Sequence, residues 1–129
     1  MPSDVTPSEW LRGVLELCVL RVMAEGPTYG YAIAAELAAA GLGDIKGGTL
    51  YPLLARLEKN GLVSVEWRPG DGGPGRKYST LTPAGRDQLD AGLVQWQVFS
   101  ATVSEHLSPT GTDQMASPAG SRPYSRSTT

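Results

Sequence analysis

Between residues 48 and 67 the spacing of apolar side chains changes period, and this switch constrains the fold more than any other feature of the chain. Leu50, Leu53, Leu54 and Leu57 fall at i, i+3, i+4 and i+7, which marks one buried face of a helix over 48–60. Asn60-Gly61 is a strong stop, because Gly61 suits the left-handed position after a helix. Pro52 is tolerable in that helix only if it starts late, near Gly48, since deeper inside it would remove a backbone bond. Val63, Val65 and Trp67 then alternate with Ser64, Glu66 and Arg68, the pattern of a half-buried strand. Residues 69–75 hold four Gly and read as a loop, and residues 76–81 read as the return strand of a hairpin.

Helical signals flank this region. A first helix is expected from Pro7 to Val22, with Thr6 as its cap, Pro7 at the first helical position and Glu9 three residues after Thr6, as in a capping box. Leu11, Val14, Leu15 and Cys18 follow helical spacing, and Leu17, Val19 and Leu20 fill the neighbouring face, so this helix is buried on most sides. A second helix is expected with Thr28 as cap and Tyr29, Ile33 and Leu37 on one stripe, ended by Gly41 and Gly43. Thr82-Pro83 repeats the cap-plus-Pro signal and opens a long helix to about Leu107. Its stripe is Leu89, Leu93, Trp96, Val103 and Leu107, with Phe99 beside it. Gly and Pro make up 26 of the 129 residues, well above the roughly 12% of an average protein, and most of them fall at these junctions.

The order helix, helix, helix, strand, loop, strand, helix describes a mainly α chain with a small β-hairpin, the winged variant of the helix-turn-helix. Residues 1–82 are expected to form the winged-helix domain. Residues 83–107 are a helix of about 25 residues, roughly 37 Å long, with no later element to cover its apolar stripe. A second copy of the chain is the expected cover, making it a dimerisation helix. Residues 108–129 hold five Ser, four Thr, three Pro and two Gly, too little apolar surface to offset ordering, and are expected to be a disordered tail.

Charge is unevenly placed. The net charge is −2, but residues 1–45 carry −4 and residues 46–80 carry +3. A basic centre in an acidic chain suggests one face for a polyanion, against the alternative of a chance local excess. One Cys excludes a disulfide framework and a Cys-based zinc site. No apolar run reaches the roughly 18 residues of a membrane span, and no signal peptide is read at the N-terminus, so a cytoplasmic location is expected. His106 is the only His, Cys18 reads as an inert packing residue, and no acid pair or Ser/His/Asp set has a plausible arrangement. No enzyme, cofactor or metal is therefore expected. Residues 70–75 formally match G-x-G-x-x-G, but a dinucleotide site needs a strand before and a helix after it, and here a basic strand follows.

Three strings carry a family resemblance. Gly26-Pro27-Thr28-Tyr29-Gly30-Tyr31-Ala32-Ile33 resembles the GP-x-YGYEI signature of the PadR family, the phenolic-acid-responsive transcriptional regulators. The segment from Gly48-Thr49-Leu50-Tyr51-Pro52 to Asn60-Gly61-Leu62 resembles that family's GTLYPLLKRLEKDGL. Arg76-Lys77-Tyr78 followed by Leu81-Thr82-Pro83-Ala84-Gly85-Arg86 resembles its RKYYRLTEAGR. The strings occur in the family's order over roughly residues 11–107. The chain departs from the pattern at Ser79 and Thr80, which replace an aromatic-basic pair and remove one phosphate contact, and at Ala32, where the family has an acidic residue.

The resemblance implies a homodimeric repressor of the short form that binds double-stranded DNA and is released by a small molecule. The exposed face of the third helix is Thr49, Tyr51, Pro52, Arg56 and Lys59. The resemblance implies base or phosphate contacts for Thr49 and Tyr51, while Arg56 suits guanine or phosphate and Lys59 phosphate. The competing reading packs Tyr51 against the wing and leaves Lys59 solvated. Arg76 and Lys77 sit on the wing, where basic side chains meet the backbone or minor groove, against the alternative of a solvated hairpin tip; Arg68, at the opposite base of the wing, is a weaker candidate. Tyr29 and Tyr31 read as scaffold rather than ligand residues. Trp96 lies centrally on the last stripe, and the resemblance to multidrug-binding members implies an effector pocket of Leu15, Leu93, Trp96 and Phe99 for a small aromatic molecule, with plain dimer packing as its alternative. The other function weighed is a winged-helix protein-interaction module without sequence-specific DNA binding, which the basic wing and helix argue against.

Overall fold

The computed structural model describes residues 8–70 and 73–109. In chain order these form α1 (Ser8–Arg12), α2 (Leu15–Met23), α3 (Gly30–Ala39), α4 (Gly47–Lys59), β1 (Val63–Gly70), β2 (Gly73–Leu81) and α5 (Pro83–Leu107). The chain divides into two units, Met1–Val94 and Gln95–Thr129, with the boundary inside α5. The expected cap at Thr6 with Pro7 and nearly all of the expected tail lie outside the described residues.

The core of the first unit joins Val19, Leu20 and Met23 of α2, Ile33 and Leu37 of α3, Leu50, Leu53 and Leu57 of α4, Val63 of β1 and Leu89 of α5. The apolar spacing of α4 thus does what its period requires, since every third or fourth residue is buried and the face between is exposed. Both α3 and α4 end in a Schellman motif. After α4, Gly61 adopts φ +75°, its N–H donates to the Glu58 carbonyl at 3.0 Å and the Leu62 N–H donates to the Leu57 carbonyl at 2.9 Å. This turn aims the chain into β1.

Thr82 caps α5 as expected. Its hydroxyl accepts from the Gly85 N–H at 3.0 Å and donates to the Gly61 carbonyl at 2.7 Å, while its own N–H donates to the Leu62 carbonyl at 3.0 Å. One residue therefore caps α5 and ties its first turn to the end of α4.

Three local expectations are corrected. The first helix is two pieces, broken at Gly13 and Val14, where the Val14 N–H turns back to the Leu11 carbonyl at 2.9 Å. A mid-helix Gly costs about 1 kcal/mol against Ala, and the chain breaks there. Thr28 is not a cap: Tyr29 holds the cap position of α3 without a side-chain bond. Thr28 is buried and pairs with Ser79 through its backbone, with Thr28 N–H to Ser79 carbonyl 3.0 Å and the reverse bond 2.7 Å. The residues read as a glycine loop are mostly strand, because β1 runs to Gly70 and β2 starts at Gly73, which pair with each other. A Cβ at Gly75 would stand 2.8 Å from the Arg68 carbonyl oxygen, so Gly75 serves close strand approach. Pro69 sits at the register shift between Arg68 and Gly70, where a strand tolerates a missing N–H.

The α4 helix begins at Gly47, which makes Pro52 its sixth residue. Gly48 and Pro52 are both exposed, and the Gly48 carbonyl lacks its usual donor four residues on. In the second unit, residues 95–107 are helical. Trp96, Val98, Phe99, Val103 and Leu107 are all exposed on it.

Candidate nucleic-acid interface

The α4 helix presents Thr49, Tyr51, Pro52, Arg56 and Lys59 to solvent, opposite its buried leucines. Tyr51 packs on glycines at the starts of α3 and α4. Its ring lies over Gly30, where a Cβ would come within 2.6 Å of the ring and hydroxyl, and over Gly47 at 3.3 Å. It remains 57% exposed. Glycine at position 30 thus lets α4 approach the first turn of α3 with a tyrosine between them.

Carboxylates accompany most of the cations. Arg56 Nη2 is 3.8 Å from Glu16 Oε1 of α2, and Lys77 Nζ of β2 is 3.4 Å from Glu58 Oε1 of α4. Lys46 Nζ, just before α4, is 2.8 Å from Asp44 Oδ2, a hydrogen bond that raises the ammonium above its ordinary value. Lys59 has no ion-pair partner among the described residues. Exposed pairs of this kind contribute little to stability, so a phosphate can displace the carboxylate at little cost.

The wing has two faces set by its register. Val63, Val65 and Trp67 oppose Leu81, Ser79 and Lys77, with Val63 and Ser79 buried. On the other face Glu66 opposes Tyr78 and Arg68 opposes Arg76. Tyr29, just before α3, packs edge-on against Tyr78 with ring centroids 5.2 Å apart. The Arg76 guanidinium lies 4.5 Å over the Tyr29 ring, and the Arg68 guanidinium lies 4.5 Å over the Tyr78 ring.

The family model for the transcriptional regulator PadR-like family matches residues 19–91. This chain belongs to the PadR-like family. Its members are transcriptional regulators, not enzymes. Among relatives of this PadR-like chain, the transcriptional regulator Rv3488 of Mycobacterium tuberculosis is 40% identical over 81 residues, covering 63% of this chain and 74% of that protein. A PadR family transcriptional regulator from Eggerthella lenta is 40% identical with a TM-score of 0.70, covering 77% of this chain and 86% of that one. A PadR-like regulator from Bacillus cereus is 34% identical with a TM-score of 0.70, covering 78% and 98%. Bacillus subtilis PadR, solved in complex with operator DNA, is 24% identical with a TM-score of 0.58 over 63% of this chain and 47% of its own, a likeness of fold.

The three PadR-like strings meet in space. The segment 26–31 carries Gly30 under Tyr51 of α4 and Tyr29 under Arg76 of the wing. All seven expected contact residues, Thr49 to Lys77, fall within the matched region and are exposed. Sequence reasoning passed over Lys46, although it directly precedes the Gly47-Gly48 start of α4. It also ranked Arg68 low, and only the strand register reveals that Arg68 faces Arg76. Of the residues expected around an effector, Leu15 is buried in the core, whereas Leu93, Trp96 and Phe99 are exposed, at 47%, 44% and 62%. Cys18 is half-buried, and burial pushes its thiol above the ordinary value. No cluster of three or more metal-ligating side chains occurs among the described residues, and no helix among them is long and apolar enough to cross a membrane.

Proposed function

We propose that this PadR-like regulator binds double-stranded DNA sequence-specifically as a homodimer and represses transcription until a small aromatic effector releases it. The observation that carries the reading is the set of exposed cations on α4 and the wing: Arg56 and Lys59 stand on the solvent side of a helix whose other side is committed to the core, and Arg76 and Lys77 are exposed on β2. Thr49, Tyr51 and Pro52 lie at the start of that helix, the part that reaches base edges in helix-turn-helix docking. Bacillus subtilis PadR, which shares the fold, was solved with its operator. The apolar side chains exposed along residues 93–107 support pairing of two copies through α5, as a surface of this kind rarely stays open to water. Trp96 and Phe99 from two copies would supply flat apolar walls for an aromatic effector.

A salt-titrated gel shift on the DNA upstream of the protein's own gene tests the central claim. Four cations from each of two protomers predict a log K against log salt slope of about −7. Binding with no sequence preference would sink the reading and favour a protein-interaction module. Quenching of tryptophan fluorescence by flat aromatic compounds, lost in Trp96→Leu, tests the effector pocket; unchanged affinity in that variant refutes it.

A further inference from the structure

Arg68 and Arg76 are direct cross-strand partners in β1 and β2. Like charges placed opposite one another in an antiparallel pair destabilise it. A local rule broken in this way marks a functional position, and the surrounding structure shows how the breach is tolerated. Each guanidinium is laid on a tyrosine ring at 4.5 Å, Arg76 on Tyr29 and Arg68 on Tyr78. The two rings touch edge to face at 5.2 Å. Arg68 also donates from Nε to Glu66 Oε2 at 3.0 Å. Tyr29 is itself fixed, because its neighbour Thr28 is hydrogen-bonded to Ser79 of β2 in both directions.

We propose that Arg68 and Arg76 form a two-arginine anchor for the phosphate backbone of duplex DNA, and that Tyr29 and Tyr78 are positioning residues that hold the guanidiniums rather than contacts to DNA. The inference rests on the DNA-binding reading above and adds to it a second arginine and the aromatic pair. The chemistry follows from the parts. A guanidinium stacked on a ring keeps its planar fork of donors free at the edge, and fixing it in advance removes an ordering cost of about 0.5–1.5 kcal/mol per side chain on binding. An anion brought between two like charges also relieves their mutual repulsion.

The test is fluorescence anisotropy of a labelled mixed-sequence duplex titrated with the full chain at several salt concentrations; phosphate contacts are independent of sequence, so no operator is needed. Arg68→Gln and Arg76→Gln should each flatten the salt slope by about one per protomer. Tyr29→Leu should weaken binding about five-fold, while Tyr29→Phe, which keeps the ring face, should stay within about two-fold. In an Arg76→Gln background, Tyr29→Leu should have no further effect. Equal cost in both backgrounds overturns the positioning role, and an unchanged slope in Arg68→Gln overturns the anchor while leaving DNA binding intact. A wild-type chain with no salt-dependent affinity overturns both readings. If the leucine variants do not fold, Arg68→Lys at a half-buried position and Arg76→Lys at an exposed one decide the matter: the slope should persist while affinity falls about three-fold, since an ammonium keeps the charge and loses the stacked plane. Unaltered affinity in both lysine variants overturns the proposal.

Discussion

Replacing Gly85 by Ala should separate what α5 needs at its first turn from what helix propensity offers. Gly85 is buried, and its N–H is the donor to the capping Thr82 hydroxyl at 3.0 Å. A Cβ built there runs into the Leu62 carbonyl oxygen, stands 3.0 Å from the carbonyl carbon and 2.9 Å from Leu81 Cδ2. The obstacle is backbone, which cannot swing aside. The first turn of α5 must lift from Leu62, losing the Thr82 N–H bond to that carbonyl. Overpacking costs about 1–3 kcal/mol and the lost bond about 1 kcal/mol, while Gly to Ala in a helix returns at most about 1 kcal/mol. The net loss is about 2 kcal/mol, a fall in Tm of roughly 10 °C for a domain of this size. Gly92→Ala is the internal control. A Cβ there meets Leu17 Cδ1 at 2.7 Å, the mobile end of a side chain, so the variant should stay within about 1 kcal/mol of wild type. Thermal and urea unfolding followed by circular dichroism read both values. A Gly85→Ala chain that melts at or above the wild-type temperature would refute the argument.

Other outcomes follow from the same contacts. Gly30→Ala should leave the melting temperature nearly unchanged but push the Tyr51 ring from its seat, lowering duplex affinity several-fold; an unchanged affinity in anisotropy would show that the seat is irrelevant to binding. Glu58→Gln releases Lys77 and removes an anion from the α4 and wing surface. Affinity for mixed-sequence duplex should rise about two- to five-fold with a steeper salt slope, and a fall would contradict the pairing at 3.4 Å. Burial raises the Cys18 thiol above its ordinary value of 9.0. The folded chain therefore holds that proton more tightly than the unfolded chain, and the resulting stability is complete below about pH 9 and lost as pH rises through the folded value. Alkylation of Cys18 near pH 8 should be slow until denaturant is added, and equal rates in both states would count against its burial.

Legibility in the sequence followed the range of the interaction. Thr82-Pro83 announced α5 because a cap, its partner three residues on and the proline form a local unit. The leucine period of α4 announced its buried face for the same reason. Thr28, a cap-forming residue before an apolar stripe but with no proline after it, was misread, because its backbone is claimed by Ser79 far along the chain. The glycines at 70 and 75 read as loop in sequence, yet close backbone approach within the hairpin uses them. Candidate contacts on α4 could be picked out by helical phase alone. The stacking of Arg76 on Tyr29 and the ion pair of Lys77 with Glu58 could not, since each joins elements whose distance only the fold decides.

The pairing of Thr28 with Ser79 has a consequence for how the chain is made. The partners are separated by about 50 residues, so this contact belongs to the non-local class that slows folding. During synthesis α2, α3 and α4 emerge first, and Leu89 of α5, which completes the core they share, follows only after β2. A ribosome paused before Ser79 therefore holds a nascent chain in which the Thr28 backbone is unpaired and the core still lacks Leu89, a state open to chaperones or to a neighbouring chain.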